Sequence, residues 1–408
     1  MEEHSSDLCI VGAGAAGLWA AAACARGGAR TLVLEKTRKT GTKVLSSGGT
    51  RCNLTTTLHA KETAQRFGAG QNFLLPALKN LTPQDVRAHF ETLGVATKEE
   101  ALFEKVFPVS NSALQVRDAM ERAARQAGAE FRMGSQVLNL EPFKDGWVVH
   151  TGDARVHCAK LLLCPGGKSY PKTGTTGDGY PWLEGLDLDV VSPVPALVPL
   201  TSPAPWVHAL SGVSVEGELR IGKLRRRRPV LFTHRGISGP GAMDLSEAVA
   251  RGGQSEARLD LLPDLGWEAL RATLLEAAER PGAPRIASVL PLPRRVVETV
   301  AARAALAEPN PQASSLNKTT RHRLIDELKG LRIPLSGTLG FSKAEVTAGG
   351  LALHEVERTT MEVRKHPGLY VFGELLNVTG PIGGFNFQAA FSTAQLAAQA
   401  RERAVKAL

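Results

Sequence analysis

Asp7 is followed by four apolar residues, Leu8-Cys9-Ile10-Val11, with no polar position between them. An uninterrupted apolar run of this length predicts a strand buried on both faces, as in a parallel sheet. Gly12-Ala13-Gly14-Ala15-Ala16-Gly17 comes next, and Leu18 to Ala25 is Ala-rich with high helix propensity. Gly27-Gly28 predicts the helix end, and Thr31-Leu32-Val33-Leu34 a second buried parallel strand closed by Glu35. Further on, Thr82-Pro83 opens a helix with Val86, Phe90 and Leu93 on one face. Ser112 caps another that runs to about Gln126 and stops at Gly128.

From Ala129 to Cys164 the pattern alternates between turns at Asp145-Gly146 and Gly152-Asp153, which predicts a β-meander ending in Leu161-Leu162-Leu163-Cys164. Strand-sized pieces, among them Val213–Ile221 and Pro229–Thr233, fill the stretch from Val191 to about Asp260. Trp267 to Leu328 reads as helices broken near Pro281, Pro291 and Pro309. The last 70 residues return to the opening style, with a strand at Gly368–Phe372, then Gly373-Glu374, then Gly380-Pro381-Ile382-Gly383-Gly384 before a helix from Phe385 to the end. The partition that follows is 1–190 with 341–408, an inserted β part at 191–262 with 331–340, and a helical insert at 263–330.

Composition narrows the class. The 408 residues are 43% hydrophobic and 22% charged, which excludes disordered and fibrous chains. Cys9, Cys24, Cys52, Cys158 and Cys164 are odd in number and form no C-x-x-C, so neither a disulfide framework nor a zinc ribbon is expected, and a cytoplasmic setting is. No His, Asp, Glu and Cys cluster has metal-ligand spacing, so no metal is expected. The uncharged stretch Leu8–Ala25 is long enough to imitate a signal or membrane segment. It follows Glu2, Glu3 and Asp7 and contains three of the glycines, which excludes both readings. The net charge of +9 is uneven: residues 191–340 hold 20 basic and 14 acidic side chains. The dense run Arg225–Arg228 has neither aromatics nor a recognition helix beside it. A solvated hairpin is therefore expected, and nucleic acid is the less favoured partner.

The chemistry concentrates in the glycines. In G-x-G-x-x-G between strand and helix, Gly12 permits the turn, Gly14 lets backbone N–H groups approach a pyrophosphate, and Gly17 lets the helix pack on the strand. Glu35 stands 18 residues beyond Gly17, where an acid accepts hydrogen bonds from ribose hydroxyls and repels a 2′-phosphate. FAD or NAD is thus favoured over NADP. Beyond it, Gly48 and Gly49 allow close backbone approach, while Lys43, Ser46, Arg51 and Asn53 offer donors for phosphate, ribityl or flavin oxygens. The loop Lys168–Gly179 is dense in glycine and hydroxyls but lacks P-loop order. The helix start at Phe385 directs N–H groups toward the same ligand, where they suit negative charge at the pyrimidine side of a reduced flavin. Glu374 could accept from ribityl hydroxyls.

Taken together, the chain resembles the bacterial FAD-binding flavoprotein family of NAD(P)/FAD-dependent oxidoreductases, with aminoacetone oxidase-like and bile-acid dehydro-reductase-like members. The resemblance rests on Val11–Gly17 with Glu35-Lys36, Lys43–Asn53, Pro165–Gly179, Leu231–Pro240, Val346–Gly350, and Gly373-Glu374 with Gly383–Asn386. It implies an α/β fold: a Rossmann-like FAD domain formed by both chain ends, with an inserted β-barrel-like domain and a small helical domain. It also implies cofactor contacts at Val11, Gly12, Gly14, Ala15, Ala16 and Gly17, at Glu35 and Lys36, and along Lys43, Ser46, Gly48, Gly49, Arg51, Cys52 and Asn53. Val137 would meet adenine through its backbone, and Pro165, Gly166, Gly373, Glu374, Gly384, Phe385 and Asn386 complete the set. Thr50 and Asn377 depart from the family pattern of glycine and aspartate at these places.

The expected activity is FAD-dependent electron transfer to or from a small organic substrate, with transient NAD(P)H or oxygen as the other redox partner. A flavin-free NAD dehydrogenase and an RNA-associated flavoprotein using the basic insert are the alternatives. Flavin carries the redox chemistry, so few acid or base side chains are needed. Cys52 as a redox thiol and His234 with Arg235 on a turn of the insert are the candidates, against packing for Cys52 and a structural role for His234.

Overall fold

The computed structural model describes residues 2–101 and 104–405. The chain forms two compact units, Met1–Val194 with Glu345–Leu408, and Pro195–Ala344.

In the first unit, Glu130–Met133, Thr31–Glu35, Glu2–Val11 and Ala154–Leu163 lie side by side and parallel. Leu369–Val371 joins the C-terminal end of Ala154–Leu163, also parallel. Ile10, Val33, Leu161 and Leu163 are fully buried, as an uninterrupted apolar run requires. The other half of Ala154–Leu163 pairs antiparallel with Gly146–Thr151, which pairs with Val137–Phe143. Two expectations change here. The first strand begins at Glu2, not Asp7, because its polar half, Glu2–Ser6, pairs with Ala154–Cys158. Glu130–Met133, read as the first meander strand, instead extends the parallel layer beside Leu32–Glu35.

Helix Ala15–Arg26 carries small residues against the sheet and against the last helix, Phe385–Val405. The Trp19 ring packs at a tilt on Phe391, with centroids 4.9 Å apart, and its Nε1 donates to Gln395 Oε1 at 2.8 Å. The predicted caps hold: Thr82 Oγ1 accepts from Asp85 N–H ahead of Pro83–Thr92, and Ser112 Oγ from Gln115 N–H ahead of Ala113–Gln126. His89 lies 4.5 Å from the Trp19 ring, and burial, with Arg26 nearby, pulls its pKa down to about 4. Unfolded, it titrates near 6.5. The folded state thus binds fewer protons between these values, and stability falls as pH drops from about 6.5 to about 4. The imidazole is partly exposed, so the loss is held to about 2 kcal/mol. Chemical denaturation of His89→Phe at pH 7 and pH 4.5 is expected to show a smaller loss than wild type; an equal loss would contradict the assignment.

In the second unit one antiparallel sheet runs Leu224–Arg227, Glu218–Ile221, Glu256–Asp260, Leu331–Pro334, and another contains Val230–Thr233 and Gly236–Ser238. Helices Trp267–Glu279, Arg294–Arg303 and Lys318–Gly330 share a single apolar core with these strands. The predicted strand Val213–Ile221 is two pieces in different sheets, divided at Gly217, where a Cβ would meet Asp260 O at 2.7 Å. Of the arginine run, Arg225 to Arg227 are exposed as expected. Arg228 is buried and pairs with Asp244 at 3.2 Å, so it belongs to the core rather than to a solvated hairpin. Among the described residues no helix is long and apolar enough to cross a membrane.

Candidate functional site

The C-terminal ends of the parallel strands converge at Val11, which lies level with Leu34 on one side and Leu163 on the other. Gly12 turns there with φ +103°, and a Cβ would strike Cys164 O at 2.6 Å and Pro165 Cα at 2.9 Å. Gly17 sits so close that a Cβ would lie 1.9 Å from Gly12 O, whereas at Gly14 a Cβ would meet nothing within 4 Å. The helix begins at Ala15 with no side chain capping it. The first N–H groups, at Ala15, Ala16 and Gly17, have no acceptor within the helix and no side-chain cap. Such an arrangement, with positive partial charge at the helix start and room at Gly14, suits a pyrophosphate.

Glu35 is positioned from both sides. Its Oε2 accepts from Ala13 N–H at 2.8 Å, and Oε1 accepts from Thr37 N–H and Thr37 Oγ1, each at 2.8 Å. Gly134 N–H donates to Thr37 O and Ser135 N–H to Glu35 O, which brings the chain to Val137 beside this acid. Val137 is buried at the start of a strand bulge. Lys36 Nζ bonds Thr176 Oγ1 and Asp178 Oδ2, so it ties the loop after Gly166 to the ribose end. Pro165 packs on Gly12, and Gly166, with φ +81°, leaves its Cβ direction filled by Thr175.

On the other side Lys43 Nζ donates to both oxygens of Glu374 at 2.8 and 2.6 Å. Glu374 Oε1 also accepts from Thr347 N–H at 2.8 Å, and Thr347 Oγ1 accepts from the N–H groups of Lys168 and Ser169. Gly373 follows the last parallel strand and faces Ala16, so this network stands next to the helix start. Nothing in the sequence singles out Thr347, Thr37 or Asp178; Thr347 and Asp178 lie in segments recognisable as motifs, but their partners are remote in the chain. Ser46, Gly48 and Gly49 are exposed, and both glycines have positive φ.

Several expected cofactor donors are occupied by protein. Arg51 pairs with Glu100, bonds Asn111 Oδ1 at 3.0 Å and lies 3.9 Å over the Phe107 ring. Asn53 accepts from Gly384 N–H at 2.9 Å and donates to Val106 O and Thr55 O, so it braces two loops against each other. The Asn386 side chain both accepts from and donates to the Gly380 backbone, each at 2.9 Å. Phe385 is buried against Phe67, which leaves only its backbone at the helix start. At Gly384, with φ +83°, a Cβ would lie 2.3 Å from Thr55 O. In this structure the side chains of Arg51, Asn53 and Asn386 are thus engaged by neighbouring protein groups.

Cys52 is buried, and burial pushes its thiol up to about 12, which favours the packing role over a redox thiol. His234 and Arg235 are exposed on the hairpin turn of the second unit. Asp189, His354 and Glu355 bring three ligand atoms within 4.8 Å of one another among the described residues. Glu355 already accepts from Asp189 N–H and lies 3.5 Å from Lys365 Nζ, so an ion is not needed to balance it.

The model of the HI0933-like protein Rossmann domain matches residues 6–400. The chain is 33% identical over 398 residues, 96% of this chain and 97% of the relative, to the ribosomal RNA dihydrouridine synthase of Escherichia coli strain K12. It is 29% identical, over 96% of its length and 98% of the relative's, to the 3-dehydro-bile acid delta(4,6)-reductase of Clostridium scindens. The fold is similar to that of the FrdA chain of E. coli quinol fumarate reductase, with TM-score 0.54 and 17% identity over the whole of this chain and 72% of that one. The open glycine cradle and the fixed acid beyond it fit the diphosphate and ribose of FAD, and the chain belongs to the HI0933-like family of Rossmann-type FAD-binding oxidoreductases.

Proposed function

We propose that the protein is an FAD-dependent reductase that hydrogenates uridine in ribosomal RNA. The observation that carries this reading is the 33% identity, nearly end to end on both chains, to a ribosomal RNA dihydrouridine synthase. It favours the RNA alternative over the small organic substrate expected from sequence. The uracil C5=C6 bond, conjugated to a carbonyl, gains a hydride at C6 and, at C5, a proton drawn from solvent, while NAD(P)H is oxidised to NAD(P)+. FAD, when bound, supplies the hydride transfer. The residues that would hold it are Ala15, Ala16 and Gly17 through their amides, Glu35 at the ribose, and Lys43 with Glu374 beyond the helix start. The side chains of Arg51, Asn53 and Asn386 act from behind, as braces of the loops that touch it. A ribosomal RNA substrate places the enzyme in the cytoplasm.

The charge of the second unit supports an RNA partner. Residues 195–344 carry 21 Lys and Arg against 14 Asp and Glu. Arg227 is engaged with Asp264, while Arg225 and Arg226 are exposed and make no ion pair among the described residues. A second reading, reduction of a lipid enone, is favoured by the bile-acid reductase at 29% identity.

The two readings separate in an anaerobic experiment. Protein reduced with NADPH or NADH is mixed with deproteinised ribosomal RNA or with a 3-keto-dienone steroid, and the return of flavin absorbance is followed. RNA is expected to reoxidise the flavin and the steroid to leave it reduced; the reverse would overturn the RNA reading. Replacing Arg225 and Arg226 by Ala is expected to lower the slope of log affinity against log salt by about 1.5, as two lost phosphate contacts would.

A further inference from the structure

We propose that a groove within the second unit, between helix Pro205–Ala209 and helix Arg294–Arg303, binds an unstacked base of single-stranded RNA; this rests on the RNA reading above. The groove has a volume of about 470 Å³ and is lined by Trp206, Leu210, Arg295, Thr299, Ala302 and Arg303. Residues 295, 299 and 302 recur at helical spacing, so one face of the second helix forms the wall.

Three features suit a base. Trp206 is half-buried, and the Arg303 guanidinium lies 4.6 Å from its ring centroid, fixed from behind by Glu327 at 2.9 Å. The indole and the guanidinium lie against each other, so a base can stack only on an outer face of this pair. Trp206 Nε1, like that of Trp147 and Trp182, has no side-chain or backbone acceptor among the described residues, and at the groove it can donate to a base oxygen. The charge is complementary to a phosphate backbone. Arg295 is held at the rim by the carbonyls of Ala209 and Ser211, and the one carboxylate in the wall, Glu298, is neutralised by Arg294 at 2.6 Å. The unit as a whole is strongly basic.

The test is binding of fluorescein-labelled oligouridylate to the FAD-loaded protein, read by anisotropy across a salt series, beside dihydrouridine formation on ribosomal RNA. Trp206→Ala is expected to weaken binding about tenfold with the salt slope unchanged, the signature of lost stacking rather than lost charge, and Trp206→Phe to stay within about threefold. Ala302→Trp, which fills the groove from an exposed position and leaves Trp206 in place, is expected to weaken binding by a similar factor. FAD content is expected to be unchanged in all three. Wild-type affinity in both Trp206→Ala and Ala302→Trp, with ribosomal RNA still reduced, overturns the groove and leaves the RNA reading standing. A wild-type protein that neither binds the oligonucleotide nor reduces ribosomal RNA overturns both. A dimer that Ala302→Trp dissociates, with no change in RNA affinity, assigns the groove to a second copy and overturns the proposal.

Discussion

Gly17→Val is expected to yield a protein that unfolds at markedly lower temperature and is purified without FAD. A Cβ at this position would lie 1.9 Å from Gly12 O, and Gly12 cannot retreat because its own Cβ direction is closed by Cys164 O and Pro165 Cα. The helix from Ala15 would have to lift off the strand by more than an ångström. Overpacking of this kind costs about 3 kcal/mol or more. It also carries the Ala15, Ala16 and Gly17 amides out of the position where they meet a pyrophosphate, and a displacement of that size is expected to weaken FAD binding by about a hundredfold. Gly14→Ala is the control. Its backbone has φ −78°, and its Cβ would enter open space, so the fold is expected to keep its Tm while FAD affinity falls. Thermal unfolding with the flavin-to-protein ratio separates the two: equal Tm for Gly17→Val and wild type would contradict the packing described.

Glu35→Gln is expected to lower FAD affinity by about ten- to a hundredfold with a modest loss of stability. The carboxylate accepts from Ala13 N–H on one oxygen and from Thr37 N–H and Oγ1 on the other. An amide presents NH₂ to one of these sets of donors, which leaves a hydrogen bond unmade at a cost of about 1–3 kcal/mol. The same groups hold the acid that the ribose hydroxyls meet, so binding suffers more than folding. Titration of the apo-protein with FAD, followed by fluorescence, reads the effect; wild-type affinity would remove Glu35 from the site.

The strand, glycine turn and helix from Leu8 to Ala25 were legible because each element follows from local chemistry: an apolar run, glycines where a Cβ has no room, and small residues on a packed helix. The acid at Glu35 was legible by its distance along the chain from Gly17. What could not be read were pairings with remote segments. Glu2–Ser6 is polar and becomes a strand only beside Ala154–Cys158, and Glu130–Met133 alternates like a meander yet joins the parallel layer. The same limit applies to the site. Arg51, Asn53 and Asn386 have the donors a cofactor needs, and only the fold shows that Glu100, Gly384 and Gly380 engage them first. Thr347, by contrast, is an unremarkable residue until Glu374, Lys168 and Ser169 converge on it. Burial likewise sets Cys52 in the core, where desolvation holds its thiol protonated, although its place in a motif pointed to redox chemistry.

The most direct measurement is mass spectrometry of nucleosides from unmodified ribosomal RNA incubated with the FAD-loaded protein and NADPH or NADH. Uridine carrying two added hydrogens, formed in wild type and absent with Glu35→Gln stripped of FAD, is the expected result. Unaltered uridine under conditions in which the flavin is bound and turns over with a small enone would contradict the assignment to RNA.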